Sequence, residues 1–206
     1  MDLQPETCRL SHRRKAIITA ARHLFVEQGY ERTTLEQIVV YAGGSLATIY
    51  KLFGNKDRLF EAVVFESAAS GEALVQRIDA LELPPSVALH RIAQALYKNF
   101  LNSDVVSLVR VVISRSICDP DFAHQFFDRT ATKTRKSIET MFARWETDGI
   151  AMNGKPKFLA EIFMGLIVGD LQTQAITHSS EAPDLPKRLR ERTDFFIVAA
   201  GIDIQN

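Results

Sequence analysis

The chain has little of what usually carries chemistry, export or membrane insertion. Its 206 residues hold two cysteines, Cys8 and Cys118, far apart and without C-x-x-C spacing. This argues against a disulfide scaffold and a thiolate zinc site and fits a reducing cytoplasm. Cys118 reads either as an inert buried thiol or as a redox switch. The histidines, His12, His23, His90, His124 and His178, are scattered. No H-E-x-x-H, G-x-S-x-G, glycine-rich phosphate loop or paired-acid signature occurs. No catalytic residue, metal or cofactor is therefore expected. Asp119 and Asp121 are neighbours, but they stand at a predicted helix start, where the helix dipole favours acids. The most apolar later stretch, Phe158 to Leu171, contains Glu161 and Asp170 and is too short to span a bilayer. The opening MDLQPETCRLSHRRK lacks the apolar region of a secretory signal and reads as a flexible arm over residues 1–11.

A dominant charge is missing as well, because 25 Lys and Arg balance 25 Asp and Glu. The distribution is uneven. Residues 1–60 carry nine basic side chains against six acidic ones, which leaves the remainder net acidic by the same margin. A basic end on an acidic body suits phosphate contact at that end only. With 46% hydrophobic residues the chain can also bury a sizeable core.

The informative segment is TTLEQIVVYAGGSLATIYKLFGNK, from Thr33 to Lys56. Thr34 and Gln37 form a capping box, so the start of a helix is marked. Leu35, Ile38, Val39 and Ala42 recur at helical spacing as a buried stripe, with Glu36, Gln37 and Tyr41 outward. Gly43-Gly44 permits a sharp reversal. Ser45 can then cap a second helix whose Ile49 and Phe53 point inward, leaving Leu46, Ala47, Thr48, Tyr50 and Lys51 nearer solvent. Small side chains at Ala47 and Thr48 let the backbone approach a base edge or a phosphate. The preceding Ile17, Ala20, Ala21, Leu24 and Phe25 form another stripe, closed by Gly29-Tyr30. Two capped helices about a glycine turn match a helix-turn-helix, and they equally match an ordinary helix pair of an all-α domain.

From Arg14 to about Leu59 these residues resemble the N-terminal domain of TetR-family transcriptional regulators. The family pattern runs as a first helix ending in G-[YF], then T-T-x-x-x-I-A, A-G-V-S-x-G-T-[LI]-Y-x-[YH]-F and K-x-x-L. Its counterparts here are Gly29-Tyr30, Thr33-Thr34, Ile38, Ala42-Gly43, Ser45, Thr48-Ile49-Tyr50, Phe53, Lys56 and Leu59. Gly44 stands where valine is usual and removes a small apolar anchor. Ala47 replaces glycine and favours helix by roughly 1 kcal/mol. Leu52 replaces a tyrosine or histidine. The resemblance implies a major-groove reading helix from Ser45 to Phe53. Thr33, Ser45, Tyr50 and Lys56 are then expected on phosphates, and Leu46, Ala47, Thr48 and Lys51 on bases, with Leu46 against a thymine methyl. Thr34 and Gln37 complete the candidate DNA-binding set.

Beyond Lys56 the pattern is helical throughout, with no credible strand. A helix from Lys56 is broken by Pro84-Pro85, the next opens at Ser86, and a further one stops at Asp119-Pro120. A long helix is expected from about Asp121 to Asp148, then one from Pro156 to His178 and one from Asp184 to Gly201. The expected fold is all-α with about nine helices: a headpiece over 12–55 and a body over 56–206. The D-P-x-[FL] start at Asp119, before a Phe-rich helix, is similar to the subgroup with an AefR-type C-terminal domain.

The resemblance also implies a ligand cavity in the body, a homodimer on an inverted-repeat operator, and release of the DNA by a small effector. Phe100, Phe126, Phe127, Met141, Trp145 and Phe163 are cavity candidates that suit an apolar or aromatic molecule, and each also reads as plain core. Arg110 and Arg115, in an otherwise apolar helix, either pair with an anionic ligand, form a salt bridge within the chain or face solvent. The last two helices carry the candidate interface, Leu159, Ile162, Leu166, Asp170, Phe196 and Ile197, with Gly165, Gly169 and Gly201 allowing close approach. Completion of the monomer core is the other reading of those faces. Two further classes stay open: an interaction module that uses DNA as a platform, and a helical-bundle enzyme.

Overall fold

The computed structural model describes the backbone of residues 4–100, 103–177 and 185–202. Among these there are ten helices and no strand: α1 (Gln4–Arg32), α2 (Leu35–Ala42), α3 (Leu46–Phe53), α4 (Lys56–Asp79), α5 (Pro85–Phe100), α6 (Ser103–Cys118), α7 (Pro120–Arg129), α8 (Ala131–Thr147), α9 (Pro156–Thr177) and α10 (Leu185–Ala199). The predicted helix ends His178 and Asp184 lie outside the described residues. The chain divides into two units, residues 1–67 and 68–206.

Three sequence expectations need correction here. The segment read as a flexible arm is helical from Gln4, because Pro5 falls in the first turn, where its missing N–H costs nothing. The single long helix expected from Asp121 is two. Thr130 leaves helical geometry at φ −122° and ψ −89°, and its hydroxyl donates to the Phe126 carbonyl at 2.6 Å, which competes with the helix ladder. Helix α4 ends at Asp79, before the two prolines, through a turn in which Glu82 is left-handed at φ 49°.

The first unit is built on a small apolar core. Ile17, Ile18, Ala21 and Phe25 of α1 meet Leu35 and Ile38 of α2, Ile49 and Phe53 of α3, and Leu59, Phe60 and Val63 of α4, all buried. Phe25, Tyr30 and Phe60 form an aromatic triangle with ring centres 5.1 to 5.6 Å apart. Gly29, at φ 82°, ends the long run of α1 and turns Tyr30 back onto this core.

In the second unit α8 lies along α9, while α5 packs on α10 and α9. Val75 of α4, Leu89, Ile92 and Leu96 of α5, Ile138, Met141, Phe142 and Trp145 of α8, Phe163 and Ile167 of α9, and Phe196 and Ile197 of α10 share one buried cluster. Gly71 lets α4 and α8 cross closely: a Cβ there would come within 2.7 Å of the Thr134 hydroxyl. Asp79 pairs with Arg144, and His90 with Asp194 at 2.9 Å, which ties the rim of the bundle. Cys118 is exposed at the end of α6, so the buried-thiol reading does not hold.

Phe142 touches Trp145, Phe163 and Phe196 at once, with ring centres 5.4 to 6.5 Å away. Phe142→Ala is expected to lower the stability of the second unit by about 3–5 kcal/mol, read in chemical denaturation followed by Trp145 emission. The half-exposed Phe127→Ala is expected to stay within about 0.5 kcal/mol of the parent.

Candidate nucleic-acid interface

The reading helix is held by local chemistry at both ends. At the start of α2 the Thr34 hydroxyl accepts the Gln37 backbone N–H at 3.2 Å, and the Gln37 side-chain oxygen accepts the Thr34 N–H at 2.9 Å. That closes the expected capping box. The same Gln37 oxygen accepts from the Gln28 amide of α1 at 2.9 Å, so the box is anchored to the neighbouring helix. Gly43 and Gly44 both take positive φ, 72° and 103°. Ser45 then caps α3, accepting the Thr48 N–H at 3.3 Å, with the two hydroxyls 3.1 Å apart. Asn55 caps α4 through the Arg58 N–H at 2.8 Å, after a left-handed Gly54.

This frame turns Ile49 and Phe53 into the core and leaves Ala47, Tyr50 and Lys51 exposed, with Leu46 and Thr48 half-buried at the edge of the same face. Ser45, Thr34 and Gln37 are exposed beside it. A short helix that presents small, hydroxyl and cationic side chains on its outer face fits the major groove of DNA. Lys56 is half-buried: its ammonium donates to the Glu31 carbonyl at 3.3 Å and lies 4.2 Å over the Tyr30 ring, while the Tyr30 hydroxyl donates to the Asp57 carboxylate. The Arg14 guanidinium lies 5.5 Å over the ring of Phe53, the last residue of α3.

Thr33 does not belong to this surface. It is 1% exposed, and its hydroxyl lies 2.8 Å from the Gly29 carbonyl and 3.2 Å from that of Leu24. It locks the end of α1 to the start of α2 and has no face for a phosphate. The sequence pattern gave two adjacent threonines with no sign of which one turned inward. Sequence reading also missed a groove of about 530 Å³ between α1 and α2, lined by His12, Lys15, Ala16, Thr19, Ala20, Tyr41 and Ala42. The helical spacing of the α1 members was visible, but their pairing with Tyr41 needed the fold.

Two family models match the chain. Residues 17–63 fit the bacterial regulatory proteins of the tetR family, and residues 87–196 fit the C-terminal domain of AefR-like transcriptional repressors. The chain belongs to the TetR family. AcnR of Corynebacterium diphtheriae, an HTH-type transcriptional repressor, is 33% identical over 81 residues, which cover 39% of this chain and 43% of that one. AcnR of Corynebacterium efficiens is 25% identical over 187 residues, covering 88% and 94%. The crystal structure of a TetR-family regulator from Mesorhizobium loti superposes with a TM-score of 0.83 at 22% identity, over 92% of this chain and 97% of the other. The TetR-family chain is thus a DNA-binding transcriptional regulator and not an enzyme. Among the described residues no helix is long and apolar enough to cross a membrane, and no group of three or more His, Cys, Asp or Glu gathers to hold a metal ion.

The body residues singled out from the TetR resemblance fall in three places. Met141, Trp145 and Phe163 are buried in the central cluster. Phe126 and Phe127 lie apart on α7, in a ladder with Phe122, and Phe127 is half-exposed. Arg110 donates Nε to the Ala175 carbonyl at 3.1 Å, joining α6 to α9, and Arg115 lies 4.5 Å over the Phe122 ring and 3.6 Å from Asp119. The side chains of Phe100 and Asp170 lie outside the described residues.

The interface expectation needs a change of register. Leu159, Phe196 and Ile197 are at most 3% exposed and face inward, and Leu166 packs partly against the same core. The apolar side chains left outward are Phe158 at 56%, Ile162 at 44%, Phe195 at 71% and Val198 at 65%. Both faces of α9 carry apolar residues, so helical periodicity alone does not separate them, and of the expected set Ile162 faces outward.

Thr33→Val, which keeps the side-chain shape, is expected to cost the first unit about 1–2 kcal/mol through its lost buried hydrogen bonds. Thr34→Ala is expected to cost about 1 kcal/mol through the lost cap. Native-state amide exchange of the α1 and α2 amides reads both.

Proposed function

We propose that this TetR-family chain is a homodimeric, ligand-responsive repressor that acts in the cytoplasm. It binds an inverted-repeat operator in double-stranded DNA and leaves it when a small apolar or aromatic effector binds the body. The observation that carries the DNA part is the outer face of α3, where Ala47, Tyr50 and Lys51 are exposed on a helix capped at both ends. In this reading Ala47, Thr48, Lys51 and the edge of Leu46 face bases. Thr34, Ser45, Tyr50 and Lys56 face phosphates, with Gln37 supporting Thr34.

One headpiece gives few base contacts, and duplication of the site supplies the specificity a regulator needs. The outward apolar residues of α9 and α10 support a second copy as the partner. Gly165 and Gly169 share that side of α9 with Phe158 and Ile162, and nothing lies within 4 Å of where their Cβ atoms would be. A neighbouring helix can come close there.

Effector action needs a molecule with different affinities for the DNA-competent and released states. Helix α4 runs from Lys56, just after the reading helix in the sequence, to Asp79 in the second unit, so in this reading it is the segment of chain that links the two activities. Phe126, Phe127 and Arg110, outside the packed aromatic cluster, are the effector-facing candidates of this reading.

Ile162→Glu with Phe195→Glu is expected to leave the protein helical but monomeric in sedimentation, with operator affinity down at least about 100-fold. A variant that stays dimeric and binds normally defeats the proposed interface. Thr48→Ala is expected to cost about 1–3 kcal/mol on the operator and much less on random duplex. Equal losses on both remove Thr48 from the base-facing set. A panel of aromatic and aliphatic compounds, screened for a change in Trp145 emission together with release of duplex, tests the effector. If no compound does both, the ligand-responsive part fails.

A further inference from the structure

The α2–α3 turn leaves one contact unexplained by the motif itself. Arg13, on α1, lays its guanidinium across Gly43 and Gly44. Nη1 donates to the Ala42 carbonyl at 3.2 Å. A Cβ on Gly43 would lie 3.8 Å from Nη1, and a Cβ on Gly44 would lie 2.6 Å from Cζ and closer still to Nη2. The guanidinium therefore occupies the volume that a side chain at position 44 would fill. Gly44 has φ +103°, a conformation that L side chains rarely adopt, so the backbone and the arginine require glycine there for two separate reasons.

The electrostatics agree with the geometry. Ala42 is the last residue of α2, where unpaired carbonyls and the helix dipole favour a cation. Helix α2 has no basic residue in its own last turn. Arg13 supplies that cation from another helix, 29 residues earlier in the chain. Its Nη2 is buried and has no hydrogen-bond partner among the described residues. A buried Nη2 is not placed to meet a phosphate, so the guanidinium acts on the turn.

We propose that Arg13 is a positioning residue for DNA recognition: it fixes the turn between α2 and α3, and so the presentation of Leu46, Ala47 and Thr48, without touching DNA. The proposal rests on the DNA-binding reading above. It predicts that Arg13 governs discrimination between sequences, whereas an ordinary phosphate-binding arginine strengthens all sequences alike.

The probes are a duplex enriched by the wild-type protein from a random pool and a scrambled duplex of the same length. Arg13→Ala is expected to weaken binding to the enriched duplex about tenfold and to the scrambled one less than about twofold, with the salt slope on scrambled DNA unchanged. Equal losses on both, with the slope lower by about 1, make Arg13 a phosphate contact and overturn the proposal. So does an unchanged affinity for the enriched duplex. Gly44→Ala expels the guanidinium, and Arg13→Ala with Gly44→Ala is expected to lose no more than Gly44→Ala alone; losses that multiply show that the two positions are not coupled.

Amide exchange in the DNA-free protein decides the same question when Gly44→Ala folds poorly. Arg13→Ala is expected to speed exchange at Ser45 to Thr48 while α4 and the body helices keep their protection. Unchanged exchange at the turn overturns the proposal. Should the wild-type protein enrich no duplex, the DNA-binding reading fails, and the exchange measurement still tells whether Arg13 holds the turn.

Discussion

The angle between α2 and α3 is the constraint on which the recognition surface depends. Two short helices of eight residues each have little stability of their own, since helix nucleation is costly and each is far below the length at which isolated helices persist. Their geometry is imposed from outside: by the Thr34–Gln37 box tied to Gln28, by the Thr33 hydroxyl buried against the end of α1, by the Ser45 cap, and by two left-handed glycines under the Arg13 guanidinium. Apolar burial of Ile38, Ile49 and Phe53 supplies most of the free energy but little direction. The polar contacts supply the direction, because each has a narrow range of distance and angle.

How much of this was readable in the sequence follows from how local each feature is. The capping box, the glycine turn and the Ser45 cap span three or four residues, and the pattern placed them correctly. The all-helical character of the body followed from periodicity and from Pro84-Pro85. The break at Thr130 did not, because FFDRTATKTRKS contains neither glycine nor proline, and a threonine that bonds back to the preceding turn looks like any helix-interior threonine. Thr33 departs from its expected role for a related reason: adjacent threonines carry the same chemistry, and only burial distinguishes them. Arg13 had no signal, since its partner Ala42 is 29 residues away and was chosen by the packing of α1 on α2.

The body shows the same division between what a helix is and which way it faces. Met141, Trp145 and Phe163 were recognised as apolar and aromatic, but a cavity wall and a packed core use the same residue types. The structure buries them together with Phe142 and Phe196. Interiors are packed at close to crystal density, so a guest among these rings has to displace them and lose contacts already made. The α7 ladder and the Arg110 link between α6 and α9 lie outside that cluster.

Helix α9 joins these arguments. It is apolar on two sides: Leu159, Phe163 and Ile167 fill the inward face, while Phe158 and Ile162, with the bare backbone of Gly165 and Gly169, form the outward one. A helix needs one apolar stripe to pack on its own bundle, and a second stripe left in water forfeits roughly 25 cal/mol for every Å² of apolar surface not buried. Phe195 and Val198 on α10 add to the forfeited area. The two stripes are also coupled by helical geometry, since rotating α9 to cover the outward face would withdraw Phe163 from its contacts with Phe142 and Phe196. Rotation of α9 therefore cannot bury both faces at once, and the outward face is the one that the proposed second copy would cover.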